Sequence, residues 1–271
     1  MSGAAESLFA TLFPADCRLC GEPLLNISRL PVCPECLAAM LPIGVGTCAI
    51  CGERLLSPYL VSTEPRCGLC RRLAPPFARA TAYGSYEGGL RELLHLLKYE
   101  QVLPAAKVLG RMLSEAIAGL EASFGDSPVL LVPVPLHRSK LRQRGFNQAE
   151  LIARAALKIM GPDSRLVLAS RVLRRRRATE SQTGLTRHQR RENLRGAFAV
   201  LAPETVAGRE VLLVDDVYTT GTTLAECARI LRRAGASKVW VATVARTLKL
   251  DAQRMEIQPN SQATAVAMAQ G

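Results

Sequence analysis

The sequence predicts an α/β protein: a mainly parallel sheet flanked by helices, preceded by a small cysteine-rich metal module. Three observations carry this. Short apolar runs alternate with amphipathic segments across residues 76–250, the pattern of a parallel sheet covered on both faces. Eight of the nine cysteines fall in four CxxC pairs within residues 1–75. Hydrophobic residues make up 48% of 271, enough for a sizeable core without disulfides.

The elements follow in order. Residues 1–75 are rich in Gly and Pro and show few long periodic runs. GGLRELLHLLKY (88–99) and PAAKVLGRMLSEAIAGL (104–120) place apolar residues at helical spacing. VLLVPVP (129–135) is a short apolar run that suits a buried strand. NQAELIARAALKIM (147–160) is again helical in period. VLLVDD (211–216) is a second buried strand, and TLAECARILRRAGA (223–236) a helix with Gly235 as its C-cap. KVWVATVA (238–245) is a third strand, with Trp240 in the core. Residues 251–271 have no convincing period and read as a disordered tail.

The cysteine spacings are C-x2-C-x12-C-x2-C over residues 17–36 and C-x2-C-x15-C-x2-C over residues 48–70. Two thiols separated by two residues grip one ion from a tight turn, and two such turns complete a tetrahedral zinc site. Cys17, Cys20, Cys33, Cys36, Cys48, Cys51, Cys67 and Cys70 are therefore the candidate ligands of two structural zinc ions. Four pairs can be matched into two sites in three ways, of which sequential pairing is the simplest. Four thiolates leave no open position, so the sites are read as structural. Lone Cys227 reads as a buried, inert thiol.

Net charge is +12. Between Arg138 and Arg195 lie sixteen Lys or Arg against four Asp or Glu, which accounts for the whole excess. A field so localised points to an anionic partner, such as phosphates or nucleic acid; the plain alternative is a solvated surface. The run Arg174–Arg177 lacks interleaved aromatics, which disfavours stacking on single-stranded bases. No apolar run reaches the roughly 18 residues of a membrane span. The N-terminal stretch lacks a signal-peptide pattern, which points to the cytoplasm.

The stretch VLLVDDVYTTGTTL (211–224) concentrates the chemistry. A strand ends in Asp215 and Asp216, then a loop of threonines and Gly221 leads into a helix. Ligands of open parallel sheets bind at the carboxyl ends of strands. The unpaired N–H groups of the next helix accommodate a phosphate. Gly221 allows close backbone approach, and Thr219, Thr220, Thr222 and Thr223 offer hydroxyls. The carboxylates can accept from sugar hydroxyls or hold Mg²⁺ through water. Together these groups describe a site for a ribose 5-phosphate. The plain alternative is a strand–turn–helix with a Thr N-cap. A P-loop is disfavoured, since no GxxxxGK[ST] occurs.

This stretch resembles the phosphoribosyl pyrophosphate (PRPP) motif of type I phosphoribosyltransferases. Four further features narrow the resemblance to the ComF family of ComF and GntX-like proteins: the cysteine pairs after LFP, LLKY (96–99), VPVPLHRSKLRQRGFNQAELIA (132–153) and TESQTGLTRHQRRENLRGAF (179–198). In the last, Thr179, Gln182, Leu185, Arg191, Asn193 and Phe198 fall where the family pattern expects them. The resemblance spans about residues 8–247.

It implies a type I phosphoribosyltransferase-like sheet over residues 76–250 behind a double zinc ribbon over residues 1–75. Tyr218 and the segment Thr219 to Thr223 would bind the 5-phosphate side of PRPP. Asp215 and Asp216 would be catalytic, engaging the ribose hydroxyls and a water on Mg²⁺. Pro135, His137 and Arg138 would lie near pyrophosphate, with Arg142 and Arg144 as further counter-charges. RRRRATESQTG (174–184) would be a closing flap. His95 and His188 read as packing or solvated residues. Phosphoribosyl transfer to an unidentified acceptor is one implied function. The other is a non-catalytic module binding PRPP or single-stranded DNA during DNA uptake or processing, with DNA or an uptake protein as partner.

Overall fold

A computed structural model describes residues 16–24, 28–44, 46–55, 64–178 and 187–248, apart from the side chains of residues 187, 188, 190 and 191. The expected tail 251–271, the TESQTG part of the expected flap, Leu185 and the side chains of His188 and Arg191 lie outside the described residues.

Five strands form one parallel sheet in the order β1-β7-β6-β2-β3. They are β1 (Arg79–Ser85), β2 (Val129–Pro133), β3 (Leu166–Leu168), β6 (Glu210–Tyr218) and β7 (Lys238–Arg246). β4 (Leu173–Arg175) and β5 (Phe198–Val200) pair separately as an antiparallel ribbon. The three expected strands are β2, β6 and β7. β2 is buried at every position and β7 at all but its first, as a sheet covered on both faces requires. β1 and β3 carry mixed burial, and their short, partly polar sequences give a weaker strand signal.

The helices of the sheet layers are α3 (Gly88–Tyr99), α4 (Ala105–Glu121), α5 (Arg138–Arg144), α6 (Gln148–Met160) and α9 (Thr222–Arg233). They follow α1 (Pro34–Ala38) and α2 (Gly68–Arg72) of the cysteine region. Short α7 (Arg187–Leu194) and α8 (Pro203–Val206) flank the ribbon. Asn147 caps α6 by accepting from the Ala149 N–H at 3.1 Å. Gly235 follows the C-cap Ala234 with φ 95°. The N–H groups of Gly235 and Ala236 then bond back to the carbonyls of Arg232 and Leu231, a Schellman ending that needs a left-handed residue.

One core face is built from α3, α4 and α6 against Leu212, Val214, Ala242 and Val244, and it includes Cys17 and Cys33. The opposite core joins α9, the ribbon and Val211, Leu213 and Val241 to Cys48, Cys51 and Cys70. Each half of the cysteine region therefore packs into a different face. α4 and α6 meet most closely at Gly110, where an added Cβ would lie 2.5 Å from Ala155 Cβ and 2.9 Å from the Ala156 nitrogen. Backbone cannot yield as a flexible side chain can. Gly110→Ala is expected to cost about 1–3 kcal/mol by overpacking, read as a lower midpoint in urea unfolding at unchanged slope.

Among the described residues, no helix is long and apolar enough to cross a membrane.

Candidate functional site

Parallel register brings the carboxyl ends of β2, β6 and β7 to one edge, with Pro133 opposite Val214 and Tyr218 opposite Arg246. β6 runs beyond the acidic pair to Tyr218, so Asp215 and Asp216 belong to the strand and the loop is only Thr219–Gly221. Thr222 and Thr223 open α9.

Asp216 is 5% exposed. Its Oδ2 forms an ion pair with Lys98 Nζ from α3, and its Oδ1 accepts from Gln148 Nε2 at 3.3 Å. Gln148 in turn accepts from Arg144 at 2.5 Å, and the Arg144 guanidinium lies 5.6 Å from the Tyr99 ring centre. Asp215 Oδ1 accepts from the Asp216 N–H at 2.9 Å. Burial pushes both carboxyls up, yet their net shifts are opposite. The Lys98 charge overrides burial at Asp216 and holds it down at about 2. Asp215 is driven well above the usual carboxylate range by burial and by the neighbouring Asp216 charge. Asp216 is buried and Asp215 partly buried, and two adjacent carboxylates so placed cannot both ionise cheaply. The negative charge of the pair is thus favoured on Asp216, with Lys98 as its counter-ion.

The loop has the form of an anion receptor. Gly221 is the N-cap of α9 with φ 73°, and no side chain caps the helix. The plain alternative of a Thr N-cap is therefore overturned. The positive dipole end of α9 faces the loop, and its N-cap residue offers no side chain to it. Thr220 and Thr222 hydroxyls lie 2.9 Å apart, and Thr219 is exposed. A cavity of about 520 Å³ opens beside the loop, lined by Thr220, Gly221 and Thr222 and by charges of both signs, Arg195 and Arg229 with Glu192 and Glu226; Arg229 is paired with Glu226. Tyr218 is 7% exposed, its ring under the loop.

The remaining expected residues divide. His137 caps α5, accepting through Nδ1 from the Ser139 N–H at 3.3 Å. Pro135 and His137 are partly buried, whereas Arg138 and Arg142 are exposed on that short helix. Of these five, Arg144 is the one tied to the acidic pair, through Gln148. The arginine run alternates as a strand must: Arg174, Arg176 and Arg177 are exposed, while Arg175 turns inward over Phe198 at 5.3 Å. Burial lowers the Arg175 pKa.

Sequence reasoning missed Lys98 and Gln148. Lys98 had a readable signal: it lies one turn after fully buried Leu94, where the helical period calls for an apolar side chain. Gln148 sits in the first turn of α6 and gave no signal. Cys227 is fully buried beside Asp215, and burial raises its thiol pKa, as expected of an inert thiol.

The eight paired cysteines form two groups, Cys17–Cys20–Cys33–Cys36 and Cys48–Cys51–Cys67–Cys70, with all sulfurs of a group within 4.8 Å of one another. Sequential pairing is thereby selected from the three alternatives. Cys20 and Cys33 sulfurs are 3.8 Å apart, and those of Cys51 and Cys67 are 3.7 Å apart. A tetrahedron with Zn–S bonds of ~2.3 Å has edges of about 3.8 Å. The Cys33 N–H points at Cys17 sulfur at 3.3 Å, and the Cys36 N–H at Cys33 sulfur at 3.4 Å; such donors favour thiolate. Each group can hold one zinc ion.

Residues 99–264 match the family model described as a phosphoribosyl transferase domain. The chain is 34% identical over 236 residues to the "DNA utilization protein YhgH" of Salmonella typhimurium, covering 87% of this chain and 98% of that protein. It is 28% identical over 224 residues to "Competence protein F" of Haemophilus influenzae, covering 82% and 93%. Identity to "Competence protein ComFC" of Bacillus subtilis is 25% over 205 residues, covering 75% and 79%. With the parallel sheet, the two four-cysteine groups and these relatives in hand, the chain belongs to the phosphoribosyltransferase-fold ComF family.

Proposed function

We propose that this protein binds PRPP with Mg²⁺ and transfers its ribose 5-phosphate to an unidentified acceptor. The observation that carries this reading is the pairing on one sheet edge of a glycine-capped helix start with the adjacent carboxyls Asp215 and Asp216. The loop 219–223 would take the 5-phosphate, and Asp215 and Asp216 the ribose hydroxyls. Magnesium, when bound, supplies charge neutralisation for the departing pyrophosphate, and the two carboxyls are the groups suited to hold it through water.

In the transfer the bond from the sugar carbon to pyrophosphate breaks, and one from the acceptor nucleophile to that carbon forms. The chain's contribution would be electrostatic: the carboxyl pair would stabilise a sugar carbon that becomes cation-like, and Arg144 with Arg138 and Arg142 would balance pyrophosphate. Lys98 would fix the Asp216 carboxylate and keep it ionised. Pro135 and His137 would shape the pyrophosphate side. The zinc groups would form a structural module over residues 1–75, and the protein would act in the cytoplasm.

A second reading has its own support. Arg138, Lys140 and Arg142 are exposed on α5, and Arg174, Arg176 and Arg177 on and after β4. The names of the relatives refer to DNA utilization and competence. A non-catalytic module that binds single-stranded DNA or an uptake protein would use these surfaces.

Calorimetric titration of PRPP with and without Mg²⁺ separates the two. Mg²⁺-dependent binding lost in Asp215→Asn supports the first reading. No PRPP binding by folded, metal-loaded protein, with DNA binding that weakens steeply with salt, would establish the second.

A further inference from the structure

The second four-cysteine group and the threonine loop are joined by a continuous stack of side chains. Arg246, the last residue of β7, is 4% exposed. Its Nη1 donates to the Cys51 carbonyl at 2.5 Å, and its Nη2 to Glu53 Oε2 at 3.0 Å. Nη2 also lies 3.8 Å from the Cys51 sulfur. The guanidinium covers the Tyr218 ring at 4.2 Å from its centre. Register makes this contact: Arg246 and Tyr218 are partners on adjoining parallel strands, so their side chains share a face. Phe77, from the segment after the cysteines, meets the ring edge-on at 6.4 Å.

The far end of the ring reaches the loop. A Cβ on Gly221 would stand 2.3 Å from the Tyr218 hydroxyl. The loop backbone therefore rests on the phenol, and the left-handed turn at Gly221 is moulded over it. The first cysteine group packs elsewhere: Leu19 and Met40 close on Gly89 at the start of α3, 2.8 and 3.0 Å from a Cβ placed there.

Four thiolates around a divalent ion carry two net negative charges. A buried guanidinium is stable only beside such anions, and outer-shell partners of this kind orient a metal site in return. Loss of the metal frees the Cys48–Glu53 turn, whose Cys51 carbonyl and Glu53 carboxylate hold the Arg246 guanidinium in place. Tyr218 then loses its cationic cover and Gly221 its floor.

We propose that Arg246 and Tyr218 are positioning residues that couple metal occupancy at Cys48, Cys51, Cys67 and Cys70 to the shape of the Thr219–Gly221 loop. Metal at the second group and an anion at the loop then stabilise each other, as linkage requires. The anion arm rests on the PRPP reading above; the coupling between cluster and loop does not.

The test is hydrogen exchange of the amides of residues 219–224 in the full, zinc-loaded chain without ligand. Arg246→Met and Cys67→Ser are each expected to speed exchange of this segment about tenfold, within the usual range of coupling between sites. Cys20→Ser, which breaks the first group, is expected to leave it unchanged. Tyr218→Leu removes the middle of the stack with both cysteine groups intact and is expected to match Arg246→Met, so the test survives if Cys67→Ser does not fold. Unchanged exchange in Arg246→Met and Tyr218→Leu overturns the coupling, as does an equal rise in Cys20→Ser.

The same variants are then titrated with PRPP and Mg²⁺. Affinity is expected to fall in Arg246→Met and to be partly rescued in Arg246→Lys, which keeps the charge. Wild type that protects its loop through the second group yet binds no PRPP sinks the ligand reading and leaves the coupling supported.

Discussion

Asp216→Asn is expected to destabilise the ligand-free protein by about 3–5 kcal/mol, because it strands the buried Lys98 ammonium without its partner. The side chains of Lys98 and Asp216 are 14% and 7% exposed, so water cannot take over. Lys98→Met combined with Asp216→Asn is expected to recover most of the loss, since removing both charges leaves neither unpaired. Asp215→Asn behaves in the opposite way: it removes a carboxyl whose ionisation burial opposes, and is expected to raise stability while abolishing PRPP binding. Urea unfolding of the three variants reads all of this. Equal stability of wild type and Asp216→Asn would show that the ion pair contributes nothing.

The pH dependence follows from the same groups. Asp216 has a folded pKa near 2, below its unfolded value of about 3.9. Its contribution is present above pH ~4 and is lost as pH falls through about 2. Asp215 is shifted upward, so its contribution is present at low pH and is lost as pH rises past its ordinary value. Acid titration of stability is expected to show the loss between about pH 4 and 2 in wild type, and a much smaller one in Lys98→Met/Asp216→Asn.

Removal of zinc is the second large effect. The chain is expected to carry two zinc ions by elemental analysis, one for each four-cysteine group. Binding of structural zinc supplies on the order of 10 kcal/mol to folding. Cys17 and Cys33 belong to one core face, and Cys48, Cys51 and Cys70 to the other. Strong chelation is therefore expected to uncover both faces of the sheet and to lower the melting temperature of the whole chain by more than about 10 °C. Calorimetry is expected to show one cooperative transition. A separate early melt of the cysteine region, with the sheet unaffected, would show that the two fold independently.

Much of this was legible in the chain. β2, β6 and β7 are apolar runs because both faces of each strand are buried, and periodicity reports that directly. The helices over 88–99 and 148–160 matched for the same reason, and Gly235 marked the end of α9 because only a left-handed residue closes a Schellman turn. β3 and the β4–β5 ribbon were not legible: three-residue strands are too short for a period, and their pairing is decided by distant partners. The short helix α5 was hidden by its polar, arginine-rich sequence, which buries no residue.

The fold class, the family, the eight candidate sulfur ligands and the acidic pair beside the threonine loop were all readable from the chain. These depend on residue type and local spacing, which one segment carries alone. Only contacts between distant segments fix how the cysteine pairs combine, that Lys98 pairs with Asp216 and not with Asp215, that Gly221 rather than a threonine caps α9, and that Arg246 spans from Cys51 to Tyr218. The physical reason is the same in each case. Charge state, capping and metal geometry depend on groups that are neighbours in space and far apart in the chain: Lys98 and Asp216 meet only after the sheet has folded α3 against β6.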